Sequence, residues 1–150
     1  MSRLSKSYIA GLFDGEGSIS IRPQSVKRYL SSVNIQVGIG MCNPIVEKLY
    51  KRFGGSIRII PEKGTHQQIY KWYLINKKDI RKFLTFIYSD LIIKKPQAKI
   101  MLKFIDLKTV SGVRRNPYLI KRAFKYINKI RALNGRVKRR EIHLTDGVVK

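Results

Sequence analysis

Acidic residues are scarce in this chain. Asp and Glu number 9 against 32 Lys and Arg, giving a formal net charge of +23 over 150 residues. That imbalance says nothing about fold but implies a polyanionic partner. Nucleic acid ranks ahead of a membrane surface, because the cations are spread along the chain and do not form one amphipathic or juxtamembrane block. Cysteine is nearly missing as well. Cys42 stands alone, which excludes an internal disulfide and a thiolate metal cluster and fits a reducing compartment. His66 and His143 are the only histidines. Neither has Cys or acidic partners at ligand spacing, which argues against a zinc site and a catalytic triad. There is no apolar run of about 18 residues or more, no signal-peptide pattern and no P-loop motif. The expectation is a soluble, intracellular protein with no membrane partner, its 43% hydrophobic residues filling the core of one domain over 1–150.

The few acids are placed unevenly. None lies between Gly17 and Val46, and Asp14 and Glu16 both close the apolar segment Ser7-Tyr8-Ile9-Ala10-Gly11-Leu12-Phe13-Asp14-Gly15-Glu16-Gly17-Ser18. This segment is too apolar for a solvated helix and has small residues where a core helix carries large ones. Its carboxylates fall near a helix C-terminus, where the macrodipole disfavours negative charge. A ligand that offsets this cost is expected, and a divalent cation has the right chemistry.

Prolines punctuate the rest. Asn43-Pro44 and Asn116-Pro117 read as helix starts, with Asn as N-cap and Pro at the first helical position, and Lys95-Pro96 reads alike. Pro23 and Pro61 fall at the ends of strand-like runs. Helices are expected over Lys6–Phe13, Pro44–Phe53, from the Asn76–Asp79 capping box onward, over Pro96–Leu107 and over Pro117–Leu133. Strands are expected over Ser18–Arg22, Ser32–Met41, Ser56–Ile60 and Gln68–Ile75. The order is αββαββα with extra C-terminal helices, an α+β fold. One face of its antiparallel sheet is apolar and covered by helices; the other is polar and basic. Such a face suits a DNA groove. The basic run in the tail, about 135–150, reads as a flexible phosphate-binding extension.

Ile9-Ala10-Gly11-Leu12-Phe13-Asp14-Gly15-Glu16-Gly17 resembles the motif that names the LAGLIDADG homing endonucleases. The element order resembles that family's, as does Ile92-Ile93-Lys94-Lys95-Pro96-Gln97-Ala98. The resemblance covers the chain to about Leu107, and less clearly to Leu133. One motif copy in a chain of this length implies the homodimeric type, an intron-encoded, Mg²⁺-dependent hydrolase that cuts both strands of a long, near-palindromic DNA site. Mn²⁺ is expected to substitute. Gly11 and Gly15, four apart on one helix face, would let a second copy pack closely. Ala10, Gly11, Asp14 and Gly15 are therefore read as the dimer interface.

By the same resemblance, the Glu16 carboxylate and the Gly15 carbonyl would bind the metal. Asp14 is read as a hydrogen-bonding residue at the paired helix ends, with metal contact as the lesser alternative. Lys94 matches a basic residue near the family's active site, the alternative being a solvated or phosphate-contacting lysine. Gln36 stands for the polar residue the family places on strand two, unless Gly38 or Gly40 holds that position. DNA reading is assigned to the polar sheet face: Ser20, Arg22, Gln24, Lys27, Arg28, Asn34, Gln36, Arg58, Lys71 and Tyr73, with Arg139 and Arg140 in the tail. Arg suits guanine, and Asn or Gln suits adenine. The competing reading is a non-catalytic nucleic-acid binder on the same scaffold, an RNA splicing maturase or a transcriptional regulator.

Overall fold

Ser5 starts the first helix. Its hydroxyl accepts the backbone N–H of Tyr8 at 3.2 Å, as an N-cap does. The computed structural model, which describes residues 3–26, 29–107, 117–135, 144–145 and 148–149, carries this helix, α1, over Lys6–Glu16. The sequence pattern places its end at Phe13. The helix instead continues through both acids, because Gly17 supplies the closing N–H to the Phe13 carbonyl.

Strands β1 (Gly17–Val26) and β2 (Tyr29–Met41) follow, then α2 (Val46–Phe53), β3 (Ser56–Ile60), β4 (Ile69–Leu74), α3 (Lys77–Ile87), a 3₁₀ turn at Tyr88–Asp90, α4 (Lys95–Ile105) and α5 (Pro117–Leu133). The fold is α+β in the expected order. Pro23 lies within β1 and does not end it; its fixed φ suits extended backbone. Asn43 does not cap α2, whose N-cap position is Ile45 with no side-chain bond; its Oδ1 instead accepts the Ile45 N–H at 2.9 Å, closing a turn just before the helix. The next bonds close on residues three back, Glu47 N–H on Pro44 and Lys48 N–H on Ile45, so regular α-helix begins only at Val46. Within the tail, Leu144–Thr145 and Val148–Val149 form short strands, β5 and β6. β-Branched residues after the basic run favour this state once a partner strand is present.

The chain divides into two units, one of Met1–Ile19 with Gln36–Lys95 and one of Ser20–Ile35 with Pro96–Lys150. In the first, the end of β2 pairs antiparallel with β4, and β4 with β3. The register sets Val37 opposite Leu74, and Ile39 and Ile57 opposite Trp72, so one sheet face is apolar. Helices supply the aromatic half of this core. Phe83 meets Phe13, Phe53 and Trp72 edge-on at 5.4, 5.1 and 5.0 Å between ring centroids. The buried Trp72 indole donates to the Gly54 carbonyl at 2.8 Å. Gly54 and Gly55 turn the chain from α2 into β3 with φ of 73° and 91°, which residues with a Cβ rarely adopt.

In the second unit, Tyr29 of β2 pairs with Val148 of β6, and β6 pairs with β5. Its buried side chains include Ile21, Val33 and Ile35 from the strands, Ala98, Met101 and Phe104 from α4, and Ala123, Phe124, Ile127 and Ile130 from α5. No helix among the described residues is long and apolar enough to cross a membrane.

Candidate metal and nucleic-acid site

The two faces of α1 differ sharply. Ile9, Ala10, Phe13 and Asp14 are buried, whereas Tyr8, Gly11, Gly15 and Glu16 are exposed. Ala10 and Asp14 are thus held inside their own chain, and the glycines line the open side. A Cβ added at Gly11 or Gly15 would meet nothing within 4 Å. The fold of the single chain gives no reason for glycine at either position. Gly17 is different: a Cβ there would run into the Phe13 carbonyl and ring, so the turn from α1 into β1 demands glycine.

Asp14 is consumed by structure. Its carboxylate accepts three backbone N–H groups, from Ile92 at 2.8 Å, Ile93 at 3.1 Å and Lys94 at 2.8 Å. The Lys94 ammonium donates to the Asp14 carbonyl at 2.6 Å. A cation therefore sits on the helix C-terminus, where the dipole favours it. Burial pushes the Asp14 carboxyl up, but the three N–H groups and the Lys94 charge outweigh it, leaving the group below its ordinary value of 3.8. At the other end of α1, the Ser7 hydroxyl donates to Asp90 at 2.9 Å and Lys6 lies 3.6 Å from the same carboxylate. Both ends of the helix are tied to the segment 90–94.

The lowered Asp14 value has a pH signature. A carboxyl with a folded value below its unfolded one stabilises above the unfolded value, and this is lost as pH falls through the folded value. Asp14→Asn should cost about 2–4 kcal/mol at neutral pH, the scale of charged hydrogen bonds left incomplete. It should also flatten the decline in stability below about pH 4. Urea unfolding of both proteins at pH 7 and pH 3 measures this; an equal loss at both values would remove the charge from the account.

Two residues on, Glu16 is exposed and engages in no hydrogen bond or ion pair among the described residues. The carbonyl of Gly15 lies in the last turn, where helix geometry supplies no donor four residues ahead. A carboxylate and a carbonyl are hard oxygen donors of the kind Mg²⁺ takes, and they leave most of its coordination to water, phosphate or other groups. No three His, Cys, Asp or Glu side chains cluster as a metal cage among the described residues. Glu16 and the Gly15 carbonyl are two such oxygen donors at this end of α1.

In the first unit, the polar sheet face carries two cross-strand rows. One contains Gly38, Tyr73 and Ser56; the next contains Gly40, Lys71 and Arg58. Lys71 and Arg58 are exposed and Tyr73 is half-buried. Added Cβ atoms at Gly38 and Gly40 would crowd the β4 backbone at Trp72 and the Lys71 side chain, the latter at 3.2 Å. Gln36, half-buried on the same face, is the polar side chain that this end of β2 offers. In the second unit, Arg22 and Asn34 are exposed and Ser20 is half-buried, alternating with buried Ile21, Val33 and Ile35. Lys27, Arg28, Arg139 and Arg140, and the side chain of Gln24, lie outside the described residues.

The backbone cradle around Asp14 has no signature in the sequence. Its donors are main-chain groups of Ile92 and Ile93, whose side chains are 83% and 67% exposed. Two apolar residues left in solvent fit a main-chain role, which residue identity alone does not mark. Gln97 is buried, and its Oε1 has no hydrogen-bond partner among the described residues.

No protein-family model matches the chain, and no curated protein does. Solved structures do. The homing endonuclease I-CvuI, solved with a DNA target in 2 mM Mg, superposes with a TM-score of 0.72 at 22% identity over 91% of this chain and 85% of that one. The archaeal intron-encoded homing endonuclease I-Vdi141I, complexed with DNA, gives 0.69 at 20% identity over 85% and 82%. The LAGLIDADG homing endonuclease I-GzeII, complexed with its DNA target, gives 0.65 at 20% identity over 86% of this chain but 44% of that one. The structural neighbours are LAGLIDADG homing endonucleases, and the α+β fold here is theirs.

Proposed function

We propose that this protein is a sequence-specific DNA endonuclease that acts as a homodimer and cuts both strands of a long, near-palindromic duplex with Mg²⁺. The observation that carries this reading is the division of labour at the end of α1. Asp14 is fully engaged in structure, while Glu16 is left free beside two glycines that the single chain does not need.

Glu16 and the Gly15 carbonyl would hold the cation. When bound, it supplies charge neutralisation at the scissile phosphate and an activated water. The chain's own residues do the rest. Lys94 fixes the end of α1 and keeps a positive charge one residue from the ligands, which suits stabilisation of a developing negative charge. Gln36 stands on the sheet face as a donor and acceptor for a phosphate or a water. Arg22, Asn34, Arg58, Lys71 and Tyr73 present guanidinium, amide, ammonium and phenol groups for base edges and phosphates, with Ser20 beside Arg22 along β1. Gly11 and Gly15 let two α1 helices approach and bring two Glu16 groups to one axis.

The test is cleavage selection from a random duplex library, with Mg²⁺ and with Ca²⁺ as a non-cutting control. Recovery of one pseudo-palindromic sequence only from the Mg²⁺ arm is expected, with a dimer on DNA in sedimentation. A stable monomer on DNA, or binding to structured RNA with no cutting in any library, would overturn the reading in favour of a non-catalytic binder.

A further inference from the structure

Helices α4 and α5 carry no acid at all, and a cleft of about 520 Å³ lies on them, lined by Lys103, Lys121, Arg122, Lys125, Tyr126 and Lys129. Lys121, Lys125 and Lys129 are spaced four apart, so they form one ladder along α5, and all three are exposed. Like charges at that spacing destabilise an isolated helix. Packing does not require them, because α5 buries Ala123, Phe124, Ile127 and Ile130 on its other side. Lys103 faces the ladder from α4, and Tyr126 adds a half-buried phenol to the wall.

We infer that this cleft is a second nucleic-acid surface, separate from the residues of the sheet, that binds a phosphodiester backbone without reading sequence. The spacing supports a strand as ligand. Four helical residues rise about 6 Å, close to every second phosphate of a strand whose phosphates rise about 3.4 Å each. Among the described residues, the lining is cationic, with a tyrosine and neither a carboxylate to repel phosphate nor an amide to discriminate bases. This inference does not depend on the endonuclease reading, since a non-catalytic binder would use the cleft in the same way.

The experiment compares Lys121→Glu/Lys125→Glu/Lys129→Glu with a control of equal charge change, Lys51→Glu/Lys78→Glu/Lys82→Glu, at exposed positions of the first unit. Each binds two probes across a salt series: a random-sequence DNA duplex and a folded transfer RNA. Loss of three phosphate contacts should lower the salt slope by about 2 to 3 and the affinity at least about tenfold near 0.1 M salt, and only in the cleft variant. The probe that loses more identifies DNA or RNA as the preferred backbone. Lys→Arg at the three positions should keep the wild-type slope, and thermal unfolding of the cleft variant should match that of the control. If cleft and control variants weaken both probes equally, the effect is one of net charge and the surface is a solvated face.

Discussion

Changing Glu16 to glutamine should abolish DNA cutting and leave DNA binding and unfolding near wild type. The amide keeps the size and one oxygen of the side chain but removes the charge that holds a hard cation. A metal's share of transition-state stabilisation is several kcal/mol. A loss of about 4 kcal/mol corresponds to about 10³-fold in rate. Stability should hold because Glu16 is exposed and has no partner among the described residues. Asp14→Asn should behave the opposite way, losing stability first. The pair is measured by single-turnover cleavage beside urea unfolding. Wild-type cutting by the Glu16 variant would remove this carboxylate from the reaction.

Substituting alanine for Gly11 and Gly15 should move stability and activity in opposite directions. Within one chain, the added methyls have nothing within 4 Å to strike. Alanine in a helix interior is worth about 0.5–1 kcal/mol over glycine, so Gly11→Ala should stabilise the folded monomer by that much and Gly15→Ala, in the last turn, by less. At a close two-fold helix contact the same methyls separate the backbones. The dimer dissociation constant should rise at least about tenfold, equal to about 1.4 kcal/mol. Cutting should therefore fall most at low protein concentration and recover as the concentration is raised. Sedimentation equilibrium and cleavage over a concentration series read both effects. If stability and cutting rise together, the glycines serve something other than assembly.

Much of the architecture could be read from punctuation and period. Asn76 and Pro117 mark helix starts because capping chemistry is local, and the alternation in β2 marks a half-buried strand because side chains there repeat every two residues. Boundaries fixed by distant partners could not be read. α1 runs past Phe13 to Glu16, and Asp14 in that last turn finds its donors 78 to 80 residues away. The tail strands depend on a neighbour, Tyr29, more than 100 residues earlier. At the candidate site, residue types pointed to Glu16 and Lys94. They could not separate Asp14 from Glu16, since two carboxylates two residues apart differ only in which side of the helix they face. Backbone donors such as those of Ile92 and Ile93 leave no trace in residue identity.

The Asp14 clasp also sets an order of events in folding. Its bonds close a loop of 78 to 80 residues, and closing a long loop costs entropy before the contact repays it. The helices and hairpins around it are local and should form first. The end of α1 is thus among the last places to be fixed, and a growing chain cannot fix it until residue 94 has left the ribosome. Weakening the clasp should act mainly on how fast the native state opens, with little change in how fast it forms. A nuclease assembled in this sequence would carry no ordered cutting end while its chain is still being made.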